Sequence, residues 1–381
     1  MVEACSAGVG RHVRGLSLDL RAQNHQLTVA YAPHRADEQF ERFVADQQHE
    51  IRFVPLEMKR EVSPVSDLKA VLRLMRVIRE YGPFDVVHGH SAKGGAVARI
   101  AGRLFGLPTV YTPHALIVAS PTLSRPKAVI FALIERLLGR WATSKIIAVS
   151  EGERAFIVKL GLVPTERITV VANGLDDGEL EYLHVEHTRK DLSEEPLTFG
   201  SIMRFAAQKA PDQLVEAFIR VSETLPQIPT RLVVAGDGEL FREVKRKVEA
   251  SGMDERILLL GWRTDIREVL REFDVLVVPS LYEAGSYSLI EAMAAGLPVV
   301  STRVSGTEET IRQVPGNIVV PKGEPEALAD GMMRMATLNE SMTLRQSLQR
   351  IGQANRDFAH ANFRRSETVQ RTLDVYRALC S

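Results

Sequence analysis

The chain has 381 residues, too many for one ordinary hydrophobic core, so two domains are the natural division. Lysine plus arginine and aspartate plus glutamate both number 48, a balance that argues against a nucleic-acid partner held by bulk charge. The two cysteines, Cys5 and Cys380, stand at opposite ends, which excludes a disulfide framework and a cysteine metal site and fits a reducing compartment.

The opening MVEACSAGVGRHV has neither the basic nor the apolar region of a secretory signal. No later run approaches the roughly 18 to 20 apolar residues that cross a bilayer, so the expectation is a cytoplasmic protein, free or attached to a surface. Short apolar runs alternate with helical patterns throughout, the signature of a doubly wound α/β fold. Gly8-Val-Gly10 reads as a turn opening a helix over Val9 to Asn24. Little more than Met1 to Ala4 remains for the strand before it, which implies a start upstream of Met1 or a weakened domain. The Gly-x-Gly pair alone is a weak phosphate-loop signal, since Val13 stands where a third glycine belongs.

Strands follow over Gln26 to Ala32 and Ile51 to Glu57, then a helix over Ser66 to Tyr81 with Ser66 as its cap. Asp85-Val-Val-His-Gly-His90 is a strand running into a polar loop, and a helix continues over Ala96 to Phe105. His88 and His90 have the spacing of paired ligands, but no third ligand shows a motif of its own, so no metal is expected. Lys93 and the Gly94-Gly95 amides at a helix start suit an acceptor phosphate, with a solvated lysine as the competing reading. Thr109 to Thr112 is a strand ending at Pro113-His114. Pro126 to Trp141 is an apolar helix edged by Arg125, Lys127, Arg136 and Arg140; it suits an anionic membrane surface or ordinary packing. Lys145 to Ser150 is a strand with Ser150 capping the next helix, and Ile168 to Asn173-Gly174 closes the first domain. The polar stretch His184 to Pro196 reads as the interdomain linker.

Leu197 to Arg204 starts the second domain. Arg204 and Lys209, at a strand end before a helix starting at Pro211-Asp212, make an anion site. Arg231 to Ala235 is a strand, Gly236-Asp-Gly238 a turn, and Ile257 to Gly261 a strand ending at Trp262. The organising stretch is PSLYEAGSYSLIEAMAAGLPVVST, Pro279 to Thr302. It follows the buried-strand run Asp274 to Val278, places Ser286 as a helix N-cap, and brackets the junction with Glu283 and Glu291. Ser305 to Glu309 opens another helix, Ile318 to Val320 is the last strand, and a helical tail runs from Ser341 to Leu379.

The Glu283/Glu291 spacing, the preceding Pro-Ser, the EAMAAGLPVVST that follows and the Arg204/Lys209 pair resemble the retaining glycosyltransferases of family 4. The resemblance implies the GT-B architecture: two Rossmann-like domains facing across a cleft, residues 1–190 and 191–355, with 356–381 packing back on the first. It implies that Glu283 contacts the donor sugar, Glu291 grips the ribose, and Arg204 and Lys209 clamp the diphosphate with help from the amides at Ser288 and Leu289. Gly236 lies by the nucleotide, the Trp262-Arg263 backbone meets the base, and Gly8 and Gly10 lie beside the diphosphate or the acceptor. His114 faces the reacting sugar, and His90 and Lys93 are acceptor-side candidates. The implied reaction is retaining transfer of a hexosyl group from a UDP- or GDP-linked sugar to a glycan or lipid-linked glycan acceptor. No cofactor or metal is implied, and no Asp-x-Asp motif occurs. The setting would be surface polysaccharide synthesis at the inner face of the cell membrane, with peripheral membrane contact and no nucleic acid. Two departures stand out: Ala210 where relatives have Gly, and Glu283-Ala284-Gly285-Ser286 where they read Glu-Gly-Phe-Gly. A nucleotide-sugar 2-epimerase of the same fold and a non-catalytic nucleotide-sugar-binding protein are the alternatives; the first needs no acceptor and the second transfers nothing.

Overall fold

The computed structural model describes residues 1–58, 63–121, 123–185, 195–338 and 342–380. The chain divides into two compact units, Met1–Asn173 with Arg365–Ser381, and Gly174–Arg364. The first division falls at the Asn173-Gly174 turn, ahead of His184–Pro196; residues 186–194 of that stretch lie outside the described residues. The second falls at a break in the tail. The sequence reads as one helical stretch from Ser341, yet Leu344–Asn362 and Arg365–Cys380 are separate helices, and the second alone belongs to the first unit, so the return begins at Arg365 rather than at 356. The break has a local cause: the Leu175 N–H donates to the Phe363 carbonyl at 2.8 Å and Leu175 bridges Arg364, so the backbone there is satisfied in extended form.

In the first unit the strands are β1 (Thr28–Tyr31), β2 (Arg52–Pro55), β3 (Val87–His90), β4 (Thr109–Thr112), β5 (Lys145–Ala148) and β6 (Ile168–Val170). β1 pairs with β2 and β3 to β6 form a second sheet in sequence order, all parallel. Val2 joins the two sheets through parallel bridges to Tyr31 and His90. Its N–H donates to the Ala30 carbonyl and the His90 N–H donates to the Met1 carbonyl, both at 2.9 Å. The short first strand expected from the sequence is thus a single bridging residue, fully buried at the middle of the array. With Val2 counted as strand one, the order is that of a Rossmann sheet, and its reversal lies between Val2 and β3.

In the second unit β7 (Leu197–Ile202), β8 (Thr230–Ala235), β9 (Ile257–Gly261), β10 (Val275–Val278), β11 (Val299–Thr302) and β12 (Ile318–Val320) pair in the order β12-β11-β10-β7-β8-β9, all parallel. This is the doubly wound order with its reversal between β7 and β10. Strands β10 and β11 are buried at every position, which is why they read as unbroken apolar runs. Phe199 of β7 packs with Leu214, Phe218 and Val221 of the helix Pro211–Thr224 and with Met332 and Met335 of the helix Pro325–Ala336. Burying each such side chain contributes about 1.5–3 kcal/mol. Prolines at the first turn of these two helices, and the capping box of Thr343 and Gln346 before Leu344–Asn362, set where helices start.

Candidate active site

The reversal point of an open parallel sheet leaves a crevice beyond the carboxyl ends of two strands that diverge to opposite sides. In the second unit β7 ends before Met203-Arg204 and β10 before Pro279, so the loops carrying Arg204, Lys209 and Glu283 leave the sheet on either side of that point. Glu283 is buried; the Ser280 hydroxyl donates to its Oε1 at 2.8 Å and the Lys209 ammonium pairs with the same oxygen. The two loops are tied further by Gln208, whose side-chain amide donates to the Tyr282 carbonyl at 2.9 Å and whose carbonyl accepts from Leu281 N–H at 2.8 Å. Thr302 of β11 donates to the Ser280 carbonyl at 2.6 Å. Ser280, Gln208 and Thr302 position Glu283; Ser280 and Thr302 lie inside the stretches that carry the resemblance, but their contacts with the Glu283 loop are visible only in the fold.

Lys209 is followed by Ala210 at φ 46°, left-handed backbone that glycine adopts without cost and alanine does not. Arg204 is exposed and lies 3.6 Å from Glu239, a surface pair that holds it weakly. Gly236 has φ 133°, and a Cβ on it would stand 1.8 Å from the Met203 carbonyl oxygen, so this turn packs directly on the loop of Arg204. Phe205 N–H donates to the Asp237 carbonyl at 3.0 Å, closing the same contact. Ser286 caps the helix Tyr287–Ala294 by accepting from Leu289 N–H, and its hydroxyl is 3.0 Å from that of Ser288. The Leu289 amide is therefore already engaged by the cap. Glu291 is buried in the same helix, about one turn in from its start at Tyr287. Trp262 is 60% exposed, and Arg263 pairs with Asp265, its Nε donating to Oδ1 at 2.7 Å.

The first unit brings different chemistry to its own reversal point. The helix Ala7–Ala22 starts two residues earlier than expected, so Gly8 and Gly10 lie inside its first turn rather than in a loop ahead of it. Gly10 is needed for packing, since a Cβ would stand 2.9 Å from the Cys5 carbonyl group. The helix then presents His12, whose Nδ1 is 3.1 Å from Asn173 Oδ1. His90 ends β3, and its Nδ1 lies 3.1 Å from Nε2 of His114. His88, its ring centroid 4.1 Å from that of His90, has its nitrogens engaged elsewhere, bonded to Tyr376 Oη at 2.6 Å and Thr112 Oγ1 at 2.8 Å. His12, His90 and His114 instead form a set whose ligand nitrogens all lie within 4.8 Å. The third histidine that no motif supplied comes from His12, one turn into the helix. Only the fold reveals it, because it stands 78 positions before His90 in the chain.

Burial holds all four imidazoles neutral: it pushes His12 down to about 4, with Asn173 opposing, and drives His88, His90 and His114 well below the usual histidine value, reinforced by neighbouring charge. Ser91 (φ 63°), His114 (φ 54°) and Ala115 (φ 80°) all hold left-handed backbone, strain that survives where the surroundings fix it. Glu153 supplies part of that fixing, accepting from Ala115 N–H at 2.8 Å and Val149 N–H at 2.9 Å, and its burial raises its carboxyl to about 7.

Lys93 departs from the solvated reading: it is largely buried and paired with Asp67 at 2.9 Å. The helix begins at Ala92, four residues before the expected start at Ala96. The adjacent glycines serve packing, since a Cβ on Gly95 would stand 2.2 Å from the Tyr111 ring, and the Gly95 N–H already donates to the Ser91 carbonyl at 2.8 Å. A phosphate at those amides would have to displace that bond.

The family models "Glycosyl transferase 4-like domain" and "Glycosyl transferases group 1" match residues 7–174 and 196–337. The chain is 28% identical over 292 residues to the Escherichia coli UDP-Gal:alpha-D-GlcNAc-diphosphoundecaprenol alpha-1,3-galactosyltransferase, covering 74% of each chain. It is 28% identical over 332 residues to the phosphatidyl-myo-inositol mannosyltransferase of Mycobacterium leprae, covering 86% of this chain and 83% of that one. Among solved structures, Anabaena HepE in complex with UDP-glucose matches with a TM-score of 0.78 at 19% identity, over 99% of both chains. With two Rossmann-like units and both models matched in order, the chain belongs to the group 1 glycosyltransferases of family 4 and has the GT-B fold.

Proposed function

We propose that the protein transfers a hexosyl group from a UDP- or GDP-linked sugar to a lipid-linked glycan acceptor, with retention of configuration and without a metal, in surface polysaccharide synthesis. The observation that carries this reading is Glu283, buried between the Ser280 hydroxyl and the Lys209 ammonium at the strand-order reversal, with Arg204 on the neighbouring loop. As the bond from the anomeric carbon to the diphosphate breaks, negative charge grows on the departing oxygen. Lys209, Arg204 and the N-terminus of the helix Tyr287–Ala294 stabilise that charge. The acceptor hydroxyl attacks on the same face and passes its proton to the departing phosphate oxygen. Glu283 and His114 act on the sugar, Glu291 on the ribose, Gly236 by the nucleotide and the Trp262-Arg263 backbone on the base. Gly8 and Gly10 lie by the diphosphate or acceptor, and His90 and Lys93 on the acceptor's side.

A lipid-linked acceptor is supported by two relatives whose names specify lipid substrates, and by the surface of the helix Arg125–Ala142. Val129, Ile130, Leu133, Ile134, Leu137 and Trp141 all face outward, interleaved with exposed Arg136 and Arg140 and preceded by exposed Lys127. An apolar ridge with basic neighbours suits the headgroup boundary of an anionic bilayer, here the inner face of the cell membrane. No described helix is long and apolar enough to cross a membrane.

The test is a transfer assay with UDP- and GDP-hexoses in EDTA, with the anomer of the product read by NMR. Retained configuration, dependence on an acceptor and insensitivity to EDTA support the reading; donor epimerised without acceptor replaces it with the 2-epimerase. For the membrane contact, Leu137→Glu with Trp141→Glu is expected to lower co-sedimentation with anionic vesicles about tenfold or more, at a cost of about 1.4 kcal/mol per decade. Unchanged co-sedimentation removes that helix from the proposal.

A further inference from the structure

His12, His90 and His114 come from three separate elements, the helix Ala7–Ala22, the end of β3 and the loop after β4, and the transfer chemistry does not call for three imidazoles side by side. Two nitrogens sharing a metal at ordinary zinc–imidazole distances stand about 2.9–3.4 Å apart for octahedral to tetrahedral angles. The His90 Nδ1 to His114 Nε2 separation of 3.1 Å falls within that span. His12 is anchored through Nδ1 to the Asn173 carbonyl oxygen at 3.1 Å, which selects the tautomer that leaves Nε2 free to ligate. A carbonyl behind the ring is the usual outer partner of a metal-bound histidine. The three rings are packed against one another, with centroids 4.8 to 5.5 Å apart, so closing the widest nitrogen separation of 4.8 Å takes ring rotation more than backbone movement.

We propose that His12, His90 and His114 form a three-imidazole site for a divalent transition-metal ion of zinc type, with at least one coordination position left open to water or a substrate oxygen. Imidazole is a preferred ligand of such ions, and hard oxygen-seeking ions such as magnesium are excluded by a set without a carboxylate. Diphosphate departure is served by Lys209 and Arg204 in the second unit, so the ion is not the activator of the leaving group. Its effect on transfer would be inhibitory, because it occupies the His114 imidazole; that consequence rests on the role given to His114 under the proposed function, whereas the binding site itself does not.

The experiment is titration of the EDTA-treated full-length protein with Co²⁺, read by visible absorption and by elemental analysis after desalting, followed by displacement with Zn²⁺. One ion per chain, with the intense visible bands of four- or five-coordinate cobalt and a raised melting temperature, is the expected result. His12→Asn and His90→Gln should each weaken binding at least tenfold. Because altering a buried cluster can unfold the first unit, each metal-free variant is also checked for a parent-like far-UV circular dichroism spectrum and a cooperative melting transition of the first unit. Absence of the bands, or bands of unchanged strength in both folded variants, overturns the site. Stoichiometric Zn²⁺ that leaves transfer unaffected upholds the site and removes His114 from the transfer reaction.

Discussion

The two units share one sheet order and place their chemistry at the same topological point, yet they fill it with opposite electrostatics. The second unit presents ionised groups near water: Arg204 is exposed, and the Lys209–Glu283 pair combines a partly exposed ammonium with a buried carboxylate. The first unit presents neutral imidazoles taken out of water. Identical topology therefore fixes where a site lies but not what it does; the loop residues after each strand decide that.

The largest effect should come from breaking the charged site. Glu283→Gln is expected to lower kcat by about 10²–10³-fold, the usual cost of losing one group aimed at developing charge, with the fold intact. Activity within threefold of the parent, measured by initial rates, would remove Glu283 from catalysis. Lys209→Ala should cost a similar factor, because it removes a diphosphate cation and leaves the buried Glu283 without its counter-ion.

Next is the contrast in pH response. A histidine whose folded value lies below its unfolded one stabilises fully above the unfolded value near 6.5 and loses that contribution as pH falls through the folded value. For His12, held at about 4, the window runs from about 6.5 to 4 and the loss is on the order of 3 kcal/mol. His88, His90 and His114 act in the same direction. Glu153 acts oppositely: raised to about 7, it favours the fold below the unfolded value near 4.5 and loses that contribution as pH rises through 7. Calorimetry of the metal-free protein should therefore show the first unit melting earlier at pH 5 than at pH 7.5, with the second unit shifting less. Glu153→Gln should steepen the acid loss. Two units moving together would sink the comparison.

The smallest effect concerns Ala210. A left-handed alanine costs about 1–2 kcal/mol, and glycine's extra chain entropy returns about 0.5–1 kcal/mol of that, so Ala210→Gly should stabilise by about 1 kcal/mol or less. Urea melts showing destabilisation beyond 1 kcal/mol would mean that the methyl group, buried here, is worth more as packing than the strain it carries.

Where the chain signalled itself locally, the sequence was legible. The unbroken apolar run of β10, the Ser150 and Ser286 caps and the Pro211 helix start were all placed correctly because propensity, capping and burial pointed the same way. The 356–381 segment was not, since the break at Phe363 depends on a hydrogen bond to Leu175, far away in sequence. The pairing of Lys93 with Asp67 was not legible for the same reason, its partner lying on another helix.

By itself the sequence determined the fold family, the alternation of strands and helices, and the spacing of Glu283, Glu291, Arg204 and Lys209, because each of these is written within a single loop or helix turn. The tertiary structure alone decided that Val2 bridges two sheets, that Ser280 and Lys209 share one oxygen of Glu283, and that His12 meets His90 and His114. Each of these contacts depends on which strands lie side by side, and parallel pairing through crossover helices brings together residues whose distance along the chain carries no trace of their meeting.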